Sequence, residues 1–244
     1  AEAVSFNNKM MKVSKTRLAM GSFVSMTLLH PSKDQAEEAM DAAFSEIDRL
    51  SGLLSRYDQT SAVYDLNTHG HLAGLPPEVA QIVASSLYYH QITGGYFDIT
   101  VKPVVDLFQQ KLGGEKKVQP TDAEINDLLK RVDARNIELK DKSVSFKAEG
   151  MGVTLDGIAV GFIVDRVSEM LLSRGIQNHL INASGDIRTR GSKEDGKPWA
   201  VAIQDPWKRK TYPDAVHMGD GAISTSGNYE IYYDQEKMFH HIVN

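Results

Sequence analysis

The 244-residue sequence contains no cysteine, and this absence excludes several kinds of chemistry at once. Without thiols the chain cannot form a disulfide, a zinc–thiolate site or a cysteine nucleophile. It also lacks an excess of positive charge, because 27 lysines and arginines face 32 aspartates and glutamates and the formal net charge is -5. No broad positive field would attract a polyanion, so a nucleic acid is not an expected partner.

Longer patterns are missing as well. No apolar run approaches the roughly 20 residues that a helix needs to cross a bilayer, so no membrane span is expected. The glycine-rich fingerprints of Rossmann and P-loop sites are absent, as is the G-x-S-x-G elbow of α/β-hydrolases. The first residues lack the basic and apolar regions of a signal peptide. This leaves open a cytoplasmic protein or one whose export signal has been removed.

Hydrophobic periodicity predicts an α+β protein with one domain. One strand is predicted over 16–30, followed later by a loop with a single helical turn over 55–70. Helices are predicted at about 35–54, 77–93, 101–110, 121–131 and 157–174. Alternating apolar residues predict short strands at 137–139, 144–146, 178–183, 186–191, 199–204, 215–218, 222–224, 229–233 and 238–243.

Three short segments carry residues suited to binding a phosphate or a cofactor. Asp156 stands just before a predicted helix with Gly157 and Gly161, where a carboxylate can cap free amides and glycines allow close approach. The turn at 182–186 and the hydroxyl-rich segment at 223–227 lie beside predicted strands, and their polar groups can bind phosphate or satisfy the turn backbone. Taken alone, each segment favours the structural interpretation, a capped helix or an ordinary turn.

The order of these segments along the chain, together with several others, resembles the ApbE family, the FAD:protein FMN transferases. The likeness covers essentially Thr16 to Asn244. The matching segments are 19–21, 55–58 with Ser61, 66–67, 95–100, 155–162 with Asp165, 182–191, 199–203, 223–227 with Tyr229, and 241–244.

The resemblance implies both a fold and an activity. The implied fold is a single ApbE-like, T-fold-like domain over 16–244, with a mainly antiparallel sheet packed against helices and an N-terminal extension over 1–15. The implied enzyme binds FAD and Mg²⁺, transfers FMN to a threonine hydroxyl of an acceptor protein and releases AMP. Acceptors in the family are typically subunits of membrane redox complexes, and relatives are usually exported, which implies a periplasmic or envelope location.

The resemblance also assigns roles to individual residues. The residues implied to line the FAD site are Met20, Tyr57, Phe97, Asp98, Ile99, Asp156, Phe162 and Thr225. The backbone carbonyl of Ala159 is implied to bind Mg²⁺, since hard cations take oxygen from any donor. His241 is implied to lie near the phosphates as a catalytic residue. Without the ordered motifs, ordinary core packing is the favoured interpretation of Met20, Tyr57 and Phe97. For Ala159, the alternative is a residue that packs on a helix face.

The sequence departs from the family pattern at two places. Most relatives have a lysine where this chain has Val160. In the family, the position of Asn244 is followed by an aspartate and a threonine or serine that complete the Mg²⁺ shell, so the chain is expected to be truncated or partly observed and to lack its C-terminal segment. Two alternatives to FMN transfer therefore stay open: hydrolysis of FAD to FMN and AMP, and flavin binding without catalysis.

Overall fold

A computed structural model describes residues 2–6, 10–113, 118–193, 196–203, 205 and 212–227. The strands are β1 (Glu2–Phe6), β2 (Met10–Ala19), β3 (Ser22–His30), β4 (His71–Ala73), β5 (Ile137–Lys140), β6 (Ser143–Phe146), β7 (Asn178–Ala183), β8 (Asp186–Arg190), β9 (Trp199–Ala202), β10 (Ala215–Met218) and β11 (Gly221–Ile223). The helices are α1 (Lys33–Leu54), α2 (Ala62–His69), α3 (Pro77–Ile92), α4 (Lys102–Leu112), α5 (Asp122–Leu129) and α6 (Ala159–Ser173), with 3-10 turns at Ile99–Val101 and Ala134–Asn136. The mixture of helices and antiparallel sheets confirms the predicted α+β class.

The chain divides into two compact units, and the first contains residues 1–51 and 160–226. Among its described residues, the main sheet has six antiparallel strands in the order β1-β2-β3-β7-β8-β11, and β9 pairs with β10. Helix α1 packs on this sheet through Phe44, which is fully buried and lies under the guanidinium of Arg17 from β2. Helix α6 packs on it through Ser168, whose hydroxyl lies 2.8 Å from Nε2 of His179 on β7.

The prediction of one strand over 16–30 is wrong, because a turn divides it into β2 and β3. Met20 and Gly21 have φ values of 52° and 74°, the left-handed backbone that tight hairpin turns require. A methionine at the first turn position is no turn signal, so the apolar run appeared continuous. Strand β2 begins at Met10, and Val13 is buried opposite Leu28. Residues 2–6, in β1, and 10–15, in β2, of the predicted extension therefore belong to the sheet.

The second unit contains residues 52–159 and 227–244. In its described part, an antiparallel three-stranded sheet in the order β4-β6-β5 contacts α2 through β4 and α3 through β5, and α4 contacts α5. Helix α5 begins with the predicted capping box, in which the side chains of Thr121 and Glu124 each bond the other's backbone amide. The strands predicted at 229–233 and 238–243 lie outside the described residues.

Helix α2, with 8 residues, occupies half of the loop predicted over 55–70. Its N-cap is Ser61, whose hydroxyl accepts a 2.9 Å hydrogen bond from the amide of Tyr64. Its C-cap is Gly70 with φ of 69°, and Val63 and Leu66 are buried between these ends. The prediction counted Ser61 as a loop former, whereas a serine before an apolar pair also starts a helix. Within the described residues, no helix is long and apolar enough to cross a membrane.

The buried His179 makes the stability of the protein depend on pH. Burial lowers the pKa of His179 to about 4, from an ordinary value of 6.5. The unfolded chain binds this proton more readily than the folded chain, so the contribution to stability is complete above pH 6.5 and is lost as the pH falls through 4. We expect urea unfolding to show about 3 kcal/mol less stability from this group at pH 4 than at pH 7.

Two variants isolate this contribution. His179→Gln should flatten the pH dependence, because glutamine has no proton to bind in this range. His71→Gln serves as the control, since His71 is exposed, and it should leave the pH dependence as in the parent. Equal pH dependence in the parent and in His179→Gln would contradict the assignment.

Candidate functional site

The second unit contains a buried arginine, Arg56, whose side chain is only 3% exposed. Its Nε donates to Oδ2 of Asp156 at 3.2 Å, and its Nη1 donates to Oδ1 of Asp106 at 2.7 Å. Its Nη2 donates to the hydroxyl of Tyr57 at 2.5 Å and to Oε1 of Gln109 at 3.3 Å. Burial lowers the pKa of Arg56, but Asp156 and Asp106 outweigh it, so the pKa lies above its ordinary value. The guanidinium therefore stays charged.

Asp156 is presented by a buried segment, residues 151–155, that runs up to it. Asn67 of α2 fixes this segment, because its side chain accepts a hydrogen bond from the amide of Val153 at 2.7 Å and donates to the Val153 carbonyl at 2.9 Å. The amide of Thr154 donates to the carbonyl of Ile99 at 2.8 Å. Beyond this anchored stretch, the Asp156 side chain is 61% exposed.

The structural alternative for Asp156, a helix cap, is wrong. Helix α6 begins at Ala159, and the amides of Ile158 and Ala159 donate to the backbone carbonyl of Leu155. The carboxylate of Asp156 instead pairs with Arg56. Among the described residues none donates a hydrogen bond to Oδ1 of Asp156, and the exposed carboxylate can offer this oxygen to a ligand.

Two aromatic side chains of the predicted FAD site belong to the same region. Tyr57 is 66% exposed, and the guanidinium carbon of Arg56 lies 4.4 Å from its ring centroid. The Phe97 ring lies beside Gly157: a Cβ added to Gly157 would lie 3.6 Å from a ring carbon of Phe97. The same ring packs edge to face against Tyr89, with 6.2 Å between the ring centroids. The structure therefore brings Tyr57, Phe97 and Asp156 together around Arg56 and the 156–157 turn.

The side chains of Asp98 and Ile99 make contacts within the second unit. Oδ1 of Asp98 accepts from the amide of Thr100 at 2.7 Å, and Oδ2 accepts from the amide of Ala134 at 3.0 Å. His90 lies 3.2 Å from the same Oδ2, and Ile99 is buried. These contacts hold the loop that carries Phe97, while direct contact of either residue with FAD stays a prediction.

The remaining predicted FAD residues lie in the first unit. Met20 occupies the β2–β3 turn, and the β7–β8 turn has Ser184 and Gly185 at φ of 55° and 106°. The Ser184 hydroxyl donates to Oγ of Ser22, so the two turns lie side by side at one end of the sheet. Thr225 lies close to this turn, because a Cβ added to Gly185 would lie 3.5 Å from the carbonyl oxygen of Thr225. Sheet topology thus gathers Met20, Thr225 and the polar 182–186 turn, while Phe162 is half-buried on α6.

The described residues do not complete a metal site. Ala159 is the first residue of α6 and can offer one carbonyl oxygen, whereas Mg²⁺ takes near-octahedral coordination. Among the described residues, no group of three histidine, aspartate or glutamate side chains could hold a metal ion. Val160 follows on the same helix and is half-buried. His241 lies outside the described residues, so its catalytic role stays a prediction.

Arg56 and Asn67 have structural roles that the sequence did not assign to them. Both lie within segments that match the family motifs, yet no residue pattern near them points to their partners. Arg56 is separated from Asp156 by 100 residues, and Asn67 from Val153 by 86 residues.

Comparison with known proteins identifies the family. The model of the ApbE family matches residues 20–244. The FAD:protein FMN transferase of Vibrio cholerae is 30% identical over 208 residues, which are 82% of this chain and 62% of that protein. The Haemophilus influenzae protein of the same name is 32% identical over 200 residues, which are 78% of this chain and 56% of that protein. This chain therefore spans less than two thirds of the length of these relatives.

Solved structures agree with the sequence relatives. The ApbE protein of Thermotoga maritima matches with a TM-score of 0.84 and 26% identity, over 95% of this chain and 76% of that chain. The flavin transferase ApbE of Vibrio cholerae matches with a TM-score of 0.79 and 25% identity, over 93% of this chain and 73% of that chain. The ordered motifs, the family model and the shared fold lead to one conclusion: the chain belongs to the ApbE family.

Proposed function

We propose that the protein transfers the FMN part of FAD to a threonine hydroxyl of an acceptor protein and releases AMP. The observation that carries the proposal is the exposed Asp156, held by the buried Arg56 next to the aromatic rings of Tyr57 and Phe97. Family membership supports it, because relatives across most of this chain are named FAD:protein FMN transferases.

The proposed reaction is a substitution at phosphorus. The threonine oxygen forms a bond to the phosphorus on the FMN side of FAD, and the bond from that phosphorus to the bridging oxygen breaks. AMP leaves with the bridging oxygen, and the threonine proton passes to solvent. An alcohol is a weak nucleophile, so alignment of FAD and acceptor must supply much of the rate.

The residues of the second unit suit the binding part of this task. Exposed aromatic faces such as that of Tyr57 can stack on a flat flavin or adenine ring. The exposed carboxylate of Asp156 can accept a hydrogen bond from a ribose hydroxyl or from a ring N–H group. Asn67 and Arg56 hold these groups in place before FAD arrives, which lowers the entropic cost of binding.

Dependence on Mg²⁺ is part of the proposal. When bound, the cation would stabilise negative charge on the phosphates. Ala159 would contribute its carbonyl oxygen, and the described residues do not supply the rest of a shell. We further propose a periplasmic or envelope location and an acceptor that is a subunit of a membrane redox complex.

Mass spectrometry of an acceptor tests the proposal. The full-length protein, FAD, Mg²⁺ and a candidate acceptor are mixed, and the acceptor should gain the mass of one FMN unit on a threonine with one AMP released per adduct. Replacing that threonine by valine in the acceptor is the control and should remove the adduct. Release of AMP and free FMN without acceptor would instead indicate FAD hydrolysis, and FAD binding without any product would indicate a non-catalytic flavin-binding protein.

A further inference from the structure

We propose that Arg56 is a positioning residue, which presents Asp156 and Tyr57 to the flavin nucleotide in one fixed arrangement. The inference rests on the proposed function, because it assigns to FAD the surface that Asp156 and Tyr57 form. Arg56 affects the binding of FAD only through the positions of Asp156 and Tyr57.

The geometry of the guanidinium carries the inference. An arginine has five N–H donors in one plane, so its partners are held at fixed angles to each other. Here Nε bonds Asp156, Nη1 bonds Asp106, and Nη2 bonds the hydroxyl of Tyr57, while the same guanidinium lies over the Tyr57 ring. A shift of Arg56 would therefore move both exposed side chains together.

Differences in exposure show the direction in which this arrangement acts. The side chain of Arg56 is 3% exposed, whereas Asp156 and Tyr57 are 61% and 66% exposed. Arg56 itself has almost no surface to offer to a nucleotide. Arg56 therefore affects a ligand by orienting its two exposed partners, Asp156 and Tyr57.

The opposite side of Arg56 is anchored on α4. Asp106 accepts from Nη1 of Arg56 and, through its other oxygen, from the ammonium of Lys102 at 2.5 Å. Gln109, one turn further along the helix, accepts from Nη2 of Arg56 and donates to the hydroxyl of Tyr57 at 3.3 Å. The helix thus fixes the arginine, and the arginine fixes Asp156 and Tyr57.

Lysine cannot replace this arginine. Its ammonium is a single point with three donors on a flexible stem, so it can keep the charge but cannot hold separate partners in a planar arrangement. A purely structural arginine, whose task is to neutralise Asp106, would tolerate the change with a loss of stability alone. The two roles therefore differ in what happens to FAD affinity.

The test is a double-mutant cycle on the affinity for FAD, measured by flavin fluorescence with the full-length protein. Arg56→Lys and Arg56→Gln should each raise the Kd for FAD about tenfold at a temperature where circular dichroism shows the protein folded. In an Asp156→Ala background, Arg56→Lys should raise the Kd by a clearly smaller factor than in the parent, because only the part of its effect that passes through Tyr57 remains. Arg135→Gln is the matched control, since Arg135 pairs with Asp133 in the same unit and is 81% exposed, and its Kd should equal the parent value.

Three results would overturn the inference. The first is an unchanged Kd for FAD in Arg56→Lys. The second is an equal fold-change of the Kd in the two backgrounds. The third is a rise of the Kd that is proportional to the loss of thermal stability across the variants. If Arg56→Gln fails to fold, Arg56→Lys decides, because it keeps a positive charge beside Asp106. A parent protein that binds FAD but labels no acceptor would contradict the proposed transfer while leaving this cycle fully interpretable.

Discussion

Replacing Asp156 by alanine is expected to lower kcat/KM for the proposed FMN transfer by about 100-fold, because the change removes an exposed carboxylate of the site, which is also the partner of Arg56 Nε. The fold should survive. Asp156 is 61% exposed and caps no helix, and Arg56 keeps its bonds to Asp106, Gln109 and Tyr57, so the expected loss of stability is at most about 1 kcal/mol. Activity and urea unfolding are measured on the same preparation.

Asp127→Ala is the matched control for this prediction. Asp127 lies in the same unit, is 59% exposed and also pairs with a basic residue, Lys130. Its activity should equal that of the parent. An Asp156→Ala protein that transfers FMN at the parent rate would contradict the site, and one that unfolds would show that the ion pair with Arg56 is structural.

Replacing Gly191 by alanine should lower the free energy of unfolding by about 3 kcal/mol or more. Gly191 has φ of 60°, which an L side chain rarely adopts. An added Cβ would also lie 2.6 Å from the backbone carbonyl oxygen of Gln177 and would collide with Oδ1 of Asn178. The Asn178 side chain accepts a hydrogen bond from the amide of Ser192, so neither neighbour can move away freely.

Gly175→Ala separates the two causes of this effect. Gly175 has φ of 84°, but a Cβ there would meet no atom within 4 Å. Its loss should be confined to the backbone term, about 1–2 kcal/mol. Equal losses for the two variants in urea unfolding would show that the close contacts at Gly191 have no effect beyond its φ.

Much of the secondary structure could be predicted from local patterns. Helices α1, α3 and α6 have apolar residues at helical spacing. Helix α5 begins with a capping box, which the spacing of Thr121 and Glu124 predicts. The exceptions have local causes. Met20 lies in a turn, although methionine is not typical of turns. Ser61 is a helix N-cap, and serine occurs both in loops and at helix starts.

The candidate site could be predicted as a set of residues but not as an arrangement. Ordered motifs selected Tyr57, Phe97 and Asp156, and the structure brings these three together. It also replaced the expected helix cap at Asp156 with an ion pair to Arg56. Motif order records which residues accompany one another along a chain, whereas hydrogen-bond partners depend on distances in space.

The sequence by itself determined the α+β class, the extent of most helices and the family, because periodicity and capping depend on neighbouring residues and motif order follows the chain. Tertiary structure alone decided that Arg56 joins Asp156, 100 residues away, and Asp106, 50 residues away. It alone decided that His179 is buried and neutral against Ser168. Burial, charge pairing and the direction of a carboxylate arise when distant segments pack, and no local pattern of residues specifies them.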